Sequence, residues 1–320
     1  MTEKLGAPLA QPIFERIAII GVGLIGSSIA RAARRVNAAH IIAIADTSPE
    51  AREHATALKL GDSVSASPRE AAAGADLVVL CAPVGANAEL AKAIAPALKK
   101  GAVVSDVGSV KGAVIEAIAP HLPAGVHLVP AHPVAGTEQS GPDAGFATLF
   151  LNRWCILTPP ENADAGAVAR LRAFWEALGC NVEVMSASHH DLVLAITSHV
   201  PHLIAYNIVG TAYDLEEALR SEVIKFSAGG FRDSTRLAAS DPTMWRDVFL
   251  NNKDAVLEAL GRFSEDLTAL QRMIRRGDGE GLFNLFSRTR AIRRGIVEAG
   301  QETAAPDFGR PHGEDDKGGA

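Results

Sequence analysis

The sequence predicts an α/β fold, in which a parallel sheet with helices on both faces is followed by a domain made only of helices. From residue 14 to about 186, short β-branched apolar runs alternate with alanine-rich amphipathic stretches, which is typical of βαβ units. From residue 187 onwards only helical periodicity remains. A length of 320 residues is sufficient for two such domains.

The candidate strands of residues 14–186 are short and apolar throughout, as expected for strands covered on both faces. They are residues 17–20, 41–45, 77–81, 103–106, 127–129, 155–157 and 182–184.

The second domain, residues 187–300, is predicted to be a bundle of antiparallel helices. A first apolar stripe has its members three or four residues apart, and a second follows a break at Gly277 and Gly279. These apolar residues exceed what a small bundle can bury, so we expect a homodimer formed through this domain. Residues 301–320 are polar and glycine-rich, and we expect a disordered tail. The stripes are Val256, Leu260, Phe263, Leu267, Leu270 and Ile274, then Leu282, Leu285, Phe286, Ile292 and Ile296.

The composition excludes several classes of protein. With 31 basic and 37 acidic side chains, a net charge of −6 and 5% aromatic residues, the chain lacks the basic surface and stacking platform of a nucleic-acid-binding protein. Its three cysteines are far apart and are expected to be reduced thiols in the cytoplasm. We find no signal-peptide pattern and no uninterrupted run of about 18 apolar residues, so no membrane partner is expected.

A glycine motif follows the first candidate strand and leads into a helical pattern. Residues 21–26 read GVGLIG: Gly21 makes the tight turn, Gly23 lets the backbone approach a pyrophosphate, and Gly26 lets the helix pack on the strand. The helical pattern runs from Ser27 to Arg35, and the N-terminus of this helix presents free N–H groups to the anion. Leu24 and Ile25, within the motif, are also expected to bind the cofactor. This context predicts a Rossmann-type dinucleotide-binding domain.

Asp46 ends the next candidate strand, at the offset expected for a carboxylate that binds the hydroxyls of the adenine ribose. No cationic residue adjoins it, and a carboxylate would repel a 2′-phosphate, so NAD is favoured as the cofactor. Arg52 keeps NADP open. A turn or helix N-cap before Pro49 is the alternative role for Asp46.

Ligands of an open parallel sheet bind beyond the carboxyl ends of its strands. Pro83 follows one such strand, where the backbone is expected to line the nicotinamide ribose. Ser109 follows another, and His132 lies in a predicted loop after a third. Histidine is a suitable base for a hydroxyl proton. The alternatives are a locally packed His132 and a Ser109 that only forms a turn.

Four histidines raise the question of a metal site. No cysteine or carboxylate pattern completes a zinc set around them, and Pro201 disturbs the helical face that would align two of the rings. We therefore predict no metal. The histidines are His189, His190, His199 and His202.

Several stretches together resemble the prephenate and arogenate dehydrogenases over about residues 14–300. They are residues 19–26 (IIGVGLIG), 106–111 (DVGSVK), 132–141 (HPVAGTEQSG), 191–202 (DLVLAITSHVPH) and 229–245 (GGFRDSTRLAASDPTMW). Many dehydrogenases share GxGxxG, whereas HPVAGTE together with FRDSTR is far more restrictive.

The resemblance implies an enzyme of tyrosine biosynthesis that oxidatively decarboxylates prephenate to 4-hydroxyphenylpyruvate, arogenate to tyrosine, or both. It implies that His132 contacts the ring hydroxyl, that Ser109 assists it, and that Arg236 binds a substrate carboxylate. A helix-face ion pair of Arg232 or Arg236 with Asp233 is the alternative from the residues alone. The other pocket positions implied are His202, Glu138, Asp233 and Trp245.

Two other functions remain as alternatives. One is a different two-domain dehydrogenase of the β-hydroxyacid type, although no GxxGxxxK stretch follows residue 158. The other is a non-catalytic protein that senses NAD.

Overall fold

The computed structural model describes residues 8–137, 139–214, 222, 225–226 and 229–298. Among these, residues 8–259 form one compact unit and residues 260–298 form another. The predicted tail, residues 301–320, and the predicted pocket residue Glu138 lie outside the described part of the chain.

Six parallel strands form a sheet in the order β3-β2-β1-β4-β5-β6, which is the doubly wound order of dinucleotide-binding domains. The predicted Rossmann-type fold is therefore confirmed. The strands are β1 (Phe14–Ile20), β2 (Ala39–Ala45), β3 (Ser63–Ser65), β4 (Leu77–Leu80), β5 (Val103–Asp106) and β6 (His127–Leu128). The short β3 was not predicted, because its sequence SVS lacks a hydrophobic pattern.

Both faces of this sheet are covered, so β4 and β5 are buried at every position. In β1, Ile17 and Ile19 pack into one apolar core, while Ala18 and Ile20 pack into another on the opposite face. Helices on both faces also contribute to these cores. They are α1 (Leu24–Val36), α2 (Pro49–Ala57), α3 (Pro68–Ala72), α4 (Asn87–Ile94), α5 (Gly112–Ile118) and α6 (Ala165–Ala177).

A second, three-stranded sheet corrects the strand assignment made from the sequence. It contains β7 (Ala131–Pro133), β8 (Trp154–Leu157) and β9 (Asn181–Val184), and β7 runs antiparallel to β8. The predicted strands 155–157 and 182–184 thus belong here rather than to the main sheet, and β9 is largely exposed. His132 lies within β7, not in a loop, because its pairing with Ile156 extends the backbone there.

Every described element after β9 is helical, which confirms the predicted helical second half. The predicted stripe at residues 256–274 lies on one long helix, and Gly277, at φ +63°, separates it from the next. The helices are α7 (Ala187–Leu194), α8 (Val200–Asp214), α9 (Gly229–Thr235), α10 (Pro242–Asn251), α11 (Lys253–Arg276) and α12 (Gly279–Glu298).

A single π-helical turn, Ala195–His199, joins α7 to α8. Pro201 has no N–H to donate to the carbonyl of Thr197, and its ring crowds that carbonyl, so a wider turn just before it relieves the conflict. The whole span Ala187–Asp214 is, among the described residues, the one helix long and apolar enough to cross a membrane by length and composition. Its apolar run is interrupted by His190, Asp191 and His199, which contact residues of other elements within the same compact unit.

Large apolar side chains remain exposed on the last two helices. Ile274 of α11 is 61% exposed and Phe283 of α12 is 71% exposed. Several others on these helices are also exposed, including Leu267, Phe286 and Ile292. The predicted stripes are therefore present, with Val256 buried and the larger part of their other side chains partly or fully exposed in the described chain.

Candidate active site

The glycine turn after β1 is shaped by two close backbone approaches. A Cβ at Gly21, which has φ +97°, would lie 2.7 Å from the carbonyl oxygen of Cys81, and a Cβ at Gly26 would lie 2.1 Å from the carbonyl oxygen of Gly21. At Gly23 a Cβ would meet nothing within 4 Å. These contacts hold the turn tightly against β4 and α1 while leaving open space above Gly23.

The N-terminus of α1 is available to an anion. Gly23 is its N-cap, no side chain caps it, and its first turn contains no acidic residue. The free N–H groups and the helix dipole therefore favour a negatively charged ligand at Leu24 and Ile25.

Asp46 lies directly after β2 and contacts this turn. Its Oδ2 accepts the backbone N–H of Val22 at 2.8 Å and its Oδ1 accepts that of Ser48 at 2.9 Å. The N-cap of α2 is Ser48, so Asp46 is not the helix cap considered as an alternative, but its bond to the N–H of Ser48 does form the turn that the same alternative included. Arg52 donates to the carbonyl oxygens of Asp46 and Thr47, each at 2.9 Å.

Cys81 and Pro83 follow β4, the neighbour of β1 at which the strand order reverses. The backbone N–H of Cys81 donates to Ile20 at 2.7 Å, so this segment lies beside the glycine turn. Burial raises the pKa of the Cys81 thiol, so it stays protonated at neutral pH.

A buried lysine joins the end of β5 to the start of β7. Lys111 is fully buried, and its Nζ donates to Asp106 Oδ2 at 2.6 Å and to the carbonyl oxygen of Ala131 at 2.7 Å. Withdrawal from water lowers the pKa of Lys111 and raises that of Asp106, while the attraction within the pair opposes both shifts. The segment that carries Ser109 is thereby fixed to the residue before His132.

The ring of His132 is 7% exposed and is the first member of a hydrogen-bonded chain. Its Nδ1 lies 2.8 Å from Nε2 of His190, and Nδ1 of His190 lies 2.8 Å from Oδ1 of Asp191. The carboxylate of Asp191 also accepts the backbone N–H groups of Lys111 and Gly112, each at 2.8 Å. This series of hydrogen bonds therefore ends at the backbone just after Ser109.

Burial is the main cause of the lowered pKa values of these rings. It holds the pKa of His132 well below its usual value, and His190, Lys111 and His199 lower it further by repulsion. The pKa of His190 is also lowered by burial, against the opposing effect of Asp191. His132 is therefore neutral at pH 7, the form that accepts a proton.

Two more histidines and a tryptophan lie beside this chain. His199 Nδ1 accepts the side-chain amide of Asn252 at 3.1 Å, and the nearby backbone of Ser109 affects its pKa, which burial lowers to about 4. The ring of His202 stacks on Trp245 with centroids 3.6 Å apart, and the Trp245 ring also meets His199 edge-on. Nδ1 of His202 donates to the carbonyl oxygen of Ser198, which leaves its Nε2 as an acceptor.

The two arginines of the FRDSTR stretch lie in different surroundings. The charge of Arg236 helps lower the pKa of His202, so its guanidinium is near that ring. Arg232 instead pairs with Asp233 at 3.7 Å, and both side chains are exposed, which matches the surface ion pair considered as an alternative. The structure thus groups Arg236, His202 and Trp245, whereas Asp233 pairs with Arg232.

Within the described residues no three His, Cys, Asp or Glu side chains are arranged to hold a metal ion. Both ring nitrogens of His190 are engaged with other side chains, as is Nδ1 of His199.

Sequence reasoning did not assign roles to His190, Asp191, Lys111 or Asn252. Lys111 and Asp191 were noted only as members of the DVGSVK and DLVLAITSHVPH stretches, and His190 only as a candidate metal ligand. The one available signal was the HD pair after the capping residue Ser186, because Ser186 fixes where α7 begins and so which of its side chains face inward.

A doubly wound sheet with a glycine turn at its first strand and a neutral histidine near the end of β5 is typical of nicotinamide-dependent dehydrogenases. Comparison with known proteins gives the family. Residues 29–184 match the nucleotide-binding domain of prephenate dehydrogenase, and residues 186–288 match its dimerization domain. The chain belongs to the prephenate dehydrogenase family.

Individual relatives are similar over most of their length. A cyclohexadienyl dehydrogenase of Zymomonas mobilis is 46% identical over 88% of this chain and 96% of its own. The crystal structure of prephenate dehydrogenase from A. aeolicus, in complex with hydroxyphenyl propionate and NAD+, is 34% identical with a TM-score of 0.82, covering 88% and 98% of the two chains. An arogenate dehydrogenase of Synechocystis is 26% identical with a TM-score of 0.74, covering 88% and 99%.

Proposed function

We propose that this protein is an NAD-dependent dehydrogenase of tyrosine biosynthesis that oxidatively decarboxylates prephenate to 4-hydroxyphenylpyruvate, arogenate to tyrosine, or both. The observation that carries this proposal is the similarity, over nearly the full length of both chains, to a cyclohexadienyl dehydrogenase. The buried neutral His132, which lies in β7 and is joined through Lys111 to the end of β5, is the proposed base for the reaction.

The residues present fit NAD. The open space above Gly23 and the uncapped N-terminus of α1 suit a pyrophosphate. The carboxylate of Asp46, beside the glycine turn, retains acceptor capacity for ribose hydroxyls, since each oxygen accepts one backbone N–H. Gly21, Gly26, Leu24, Ile25 and Pro83 complete the proposed cofactor site. When bound, NAD supplies a hydride acceptor for the ring carbon that bears the hydroxyl.

His132 is proposed to take the proton of the 4-hydroxyl as hydride leaves the same carbon, and the ring carboxylate departs as carbon dioxide. Formation of an aromatic ring supplies the driving force. The protein needs mainly to position the substrate and accept a proton, and general-base assistance of this kind contributes about 10² to 10⁴ in rate. Ser109 is proposed to assist at the hydroxyl.

Substrate binding is proposed to centre on Arg236. A guanidinium binds a planar carboxylate through paired charge-assisted hydrogen bonds, and prephenate carries two carboxylates. His202 and Trp245 form a flat stacked wall near Arg236, which suits a six-membered ring. Glu138 and Asp233 remain proposed pocket residues from the resemblance, although Asp233 is exposed and paired with Arg232.

The test is a matrix of prephenate and arogenate against NAD and NADP, followed by the absorbance of the reduced cofactor. Turnover of either substrate with NAD is the expected result. Absence of turnover in all four combinations, with tight NADH binding, would contradict the proposal and favour a non-catalytic NAD sensor.

We further propose a cytoplasmic homodimer with a boundary between domains at residues 186 and 187. The match to a dimerization domain and the exposed apolar side chains of α11 and α12 support the dimer. The three free cysteines, Cys81, Cys155 and Cys180, suit a reducing compartment. Sedimentation equilibrium of the wild type and of Phe283→Glu tests the dimer: the wild type is expected to dimerise and the variant to dissociate more readily.

A further inference from the structure

We propose that His190 and Asp191 are positioning residues, which hold the proton of His132 on Nδ1 and thereby present its Nε2 as the proton acceptor. This inference rests on the proposed function, in which His132 takes the hydroxyl proton. Nothing in the sequence motifs assigns a role to either residue.

The carboxylate of Asp191 determines which nitrogen of His190 carries the proton. Both of its oxygens receive backbone N–H groups, from Lys111 and from Gly112, and a backbone N–H can only donate. Both oxygens are therefore acceptors, so the nitrogen of His190 that lies 2.8 Å from Oδ1 must carry a proton. The proton of neutral His190 is thus on Nδ1.

The position of the proton on His190 in turn determines the position of the proton on His132. A neutral imidazole with its proton on Nδ1 offers Nε2 as an acceptor. Since His190 Nε2 lies 2.8 Å from Nδ1 of His132, the latter must be the donor. The lone pair of His132 is then on Nε2, the nitrogen that makes no hydrogen bond within the described residues.

The reaction places a positive charge on the His132 ring. When the O–H bond of the substrate breaks, its proton goes to Nε2 and His132 becomes a cation. Repulsion from Lys111 and His199 disfavours that cation, as would a charged His190, but burial lowers the pKa of His190 and keeps its ring neutral. The hydrogen bonds that lead to Asp191 stabilise the cation instead. The Nδ1–H of His132 donates to His190, and the Nδ1–H of His190 donates to the carboxylate of Asp191.

The pair is well placed for this role. His190 is fully buried, and both its nitrogens have partners. Asn252 donates to the backbone carbonyl of Asp191 at 2.8 Å, and Asp191 itself is tied to the segment after Ser109. The position of the His132 ring is therefore set from two directions.

Two substitutions of His190 separate its contacts. The amide of Asn overlaps Nδ1 of a histidine, so His190→Asn keeps the contact with Asp191 and loses the one with His132. The amide of Gln overlaps Nε2, so His190→Gln can still accept from His132. We expect His190→Asn to lower kcat about 10- to 100-fold and His190→Gln to lower it less, with the dissociation constant for NAD unchanged. The control is His189→Asn, an exposed neighbour on the same helix, which is expected to retain wild-type kcat.

A double-mutant cycle tests whether His190 acts through His132. The variant His132→Asn/His190→Asn is expected to have a kcat no lower than that of His132→Asn alone, because His190 has no effect once the His132 ring through which it acts is absent. If the two substitutions lower kcat by independent factors that multiply in the double variant, the proposal is overturned. Wild-type kcat in His190→Asn would also overturn it, as would a smaller loss of kcat in His190→Asn than in His190→Gln.

A measurement that does not depend on turnover addresses the tautomer directly. Nitrogen-15 chemical shifts of the imidazoles are expected to show His132 protonated on Nδ1 in the wild type, with protonation at Nε2 appearing in His190→Asn. Protonation of His132 on Nε2 in the wild type would overturn the proposal. If the wild type turns over neither substrate while this tautomer is observed, the proposed function fails but the positioning of the ring stands.

Discussion

His132 is the residue on which the proposed chemistry depends most. Replacing it by Asn keeps a polar side chain of similar size but removes the basic nitrogen. We expect His132→Asn to lower kcat by about 10² to 10⁴ while NAD binding, followed by fluorescence titration, stays at the wild-type level. Wild-type turnover in this variant would show that another group takes the proton.

Arg236 and Arg232 provide a matched pair of substitutions, because they lie four residues apart and only Arg236 is near His202. Arg236→Ala is expected to weaken substrate binding by one to two orders of magnitude, since each hydrogen bond to a charged group is worth roughly 1.5 to 3 kcal/mol. Arg232→Ala is expected to change KM little, because exposed ion pairs contribute little. Steady-state KM for prephenate and arogenate distinguishes the two, and equal effects would argue against the assignment.

Among single residues, the sequence singled out several that the structure brings together, but not the residues that hold them in place. His132, Arg236 and Trp245 were chosen from motifs, and the structure places Arg236 and Trp245 beside His202. The buried ion pair of Lys111 could not be anticipated, because a lysine is almost always at the surface. Its burial depends on Asp106 and Ala131, which come together only when β5 and β7 are in place.

Among the elements, the glycine turn combines two different constraints that can be separated. A Cβ at Gly26 would clash with the carbonyl oxygen of Gly21, so Gly26→Ala is expected to lower the free energy of unfolding by about 1 to 3 kcal/mol. Gly23 has open space and ordinary backbone angles, so Gly23→Ala is expected to preserve stability and weaken NAD binding.

Thermal unfolding and NAD titration of both variants measure this difference. A stable Gly26→Ala protein, or one in which Gly23→Ala binds NAD like the wild type, would contradict the interpretation of the turn. The comparison uses stability and affinity only, so it does not depend on which substrate is used.

Elements of the main sheet were predictable because a strand buried on both faces needs a continuous apolar run. The partners of the later strands were not. Cys155 and Val182 lie in apolar runs that resemble the strands of the main sheet, yet β8 and β9 form a second sheet with β7. With only three residues, β7 is too short to produce a recognisable sequence pattern.

For the molecule as a whole, the buried histidines predict a dependence of stability on pH. The folded pKa values of His132, His190, His199 and His202 all lie below the unfolded value of 6.5, and that of His199 is about 4. Below pH 6.5 the unfolded chain binds more protons, so stability is complete above that pH and falls as the pH decreases towards 4.

Each such histidine contributes a slope of up to about 1.4 kcal/mol per pH unit. Urea unfolding between pH 7.5 and pH 5 measures the effect, and His199→Asn is expected to reduce the slope whereas His189→Asn is not. A free energy of unfolding that is flat over this range would contradict the neutral state of the buried rings.

The π turn between α7 and α8 has a consequence for how this active site tolerates changes in chain length. A π turn holds about one residue more than a regular helical turn, so removing one residue from Ala195–His199, such as the exposed Ile196, would leave an ordinary helix with nearly the same phase on both sides. His190 would still face His132 and His202 would still stack on Trp245, whereas a deletion within a regular helix would rotate everything beyond it by about 100°. The extra residue therefore marks a position where the chain can be shortened without moving the rings on either side.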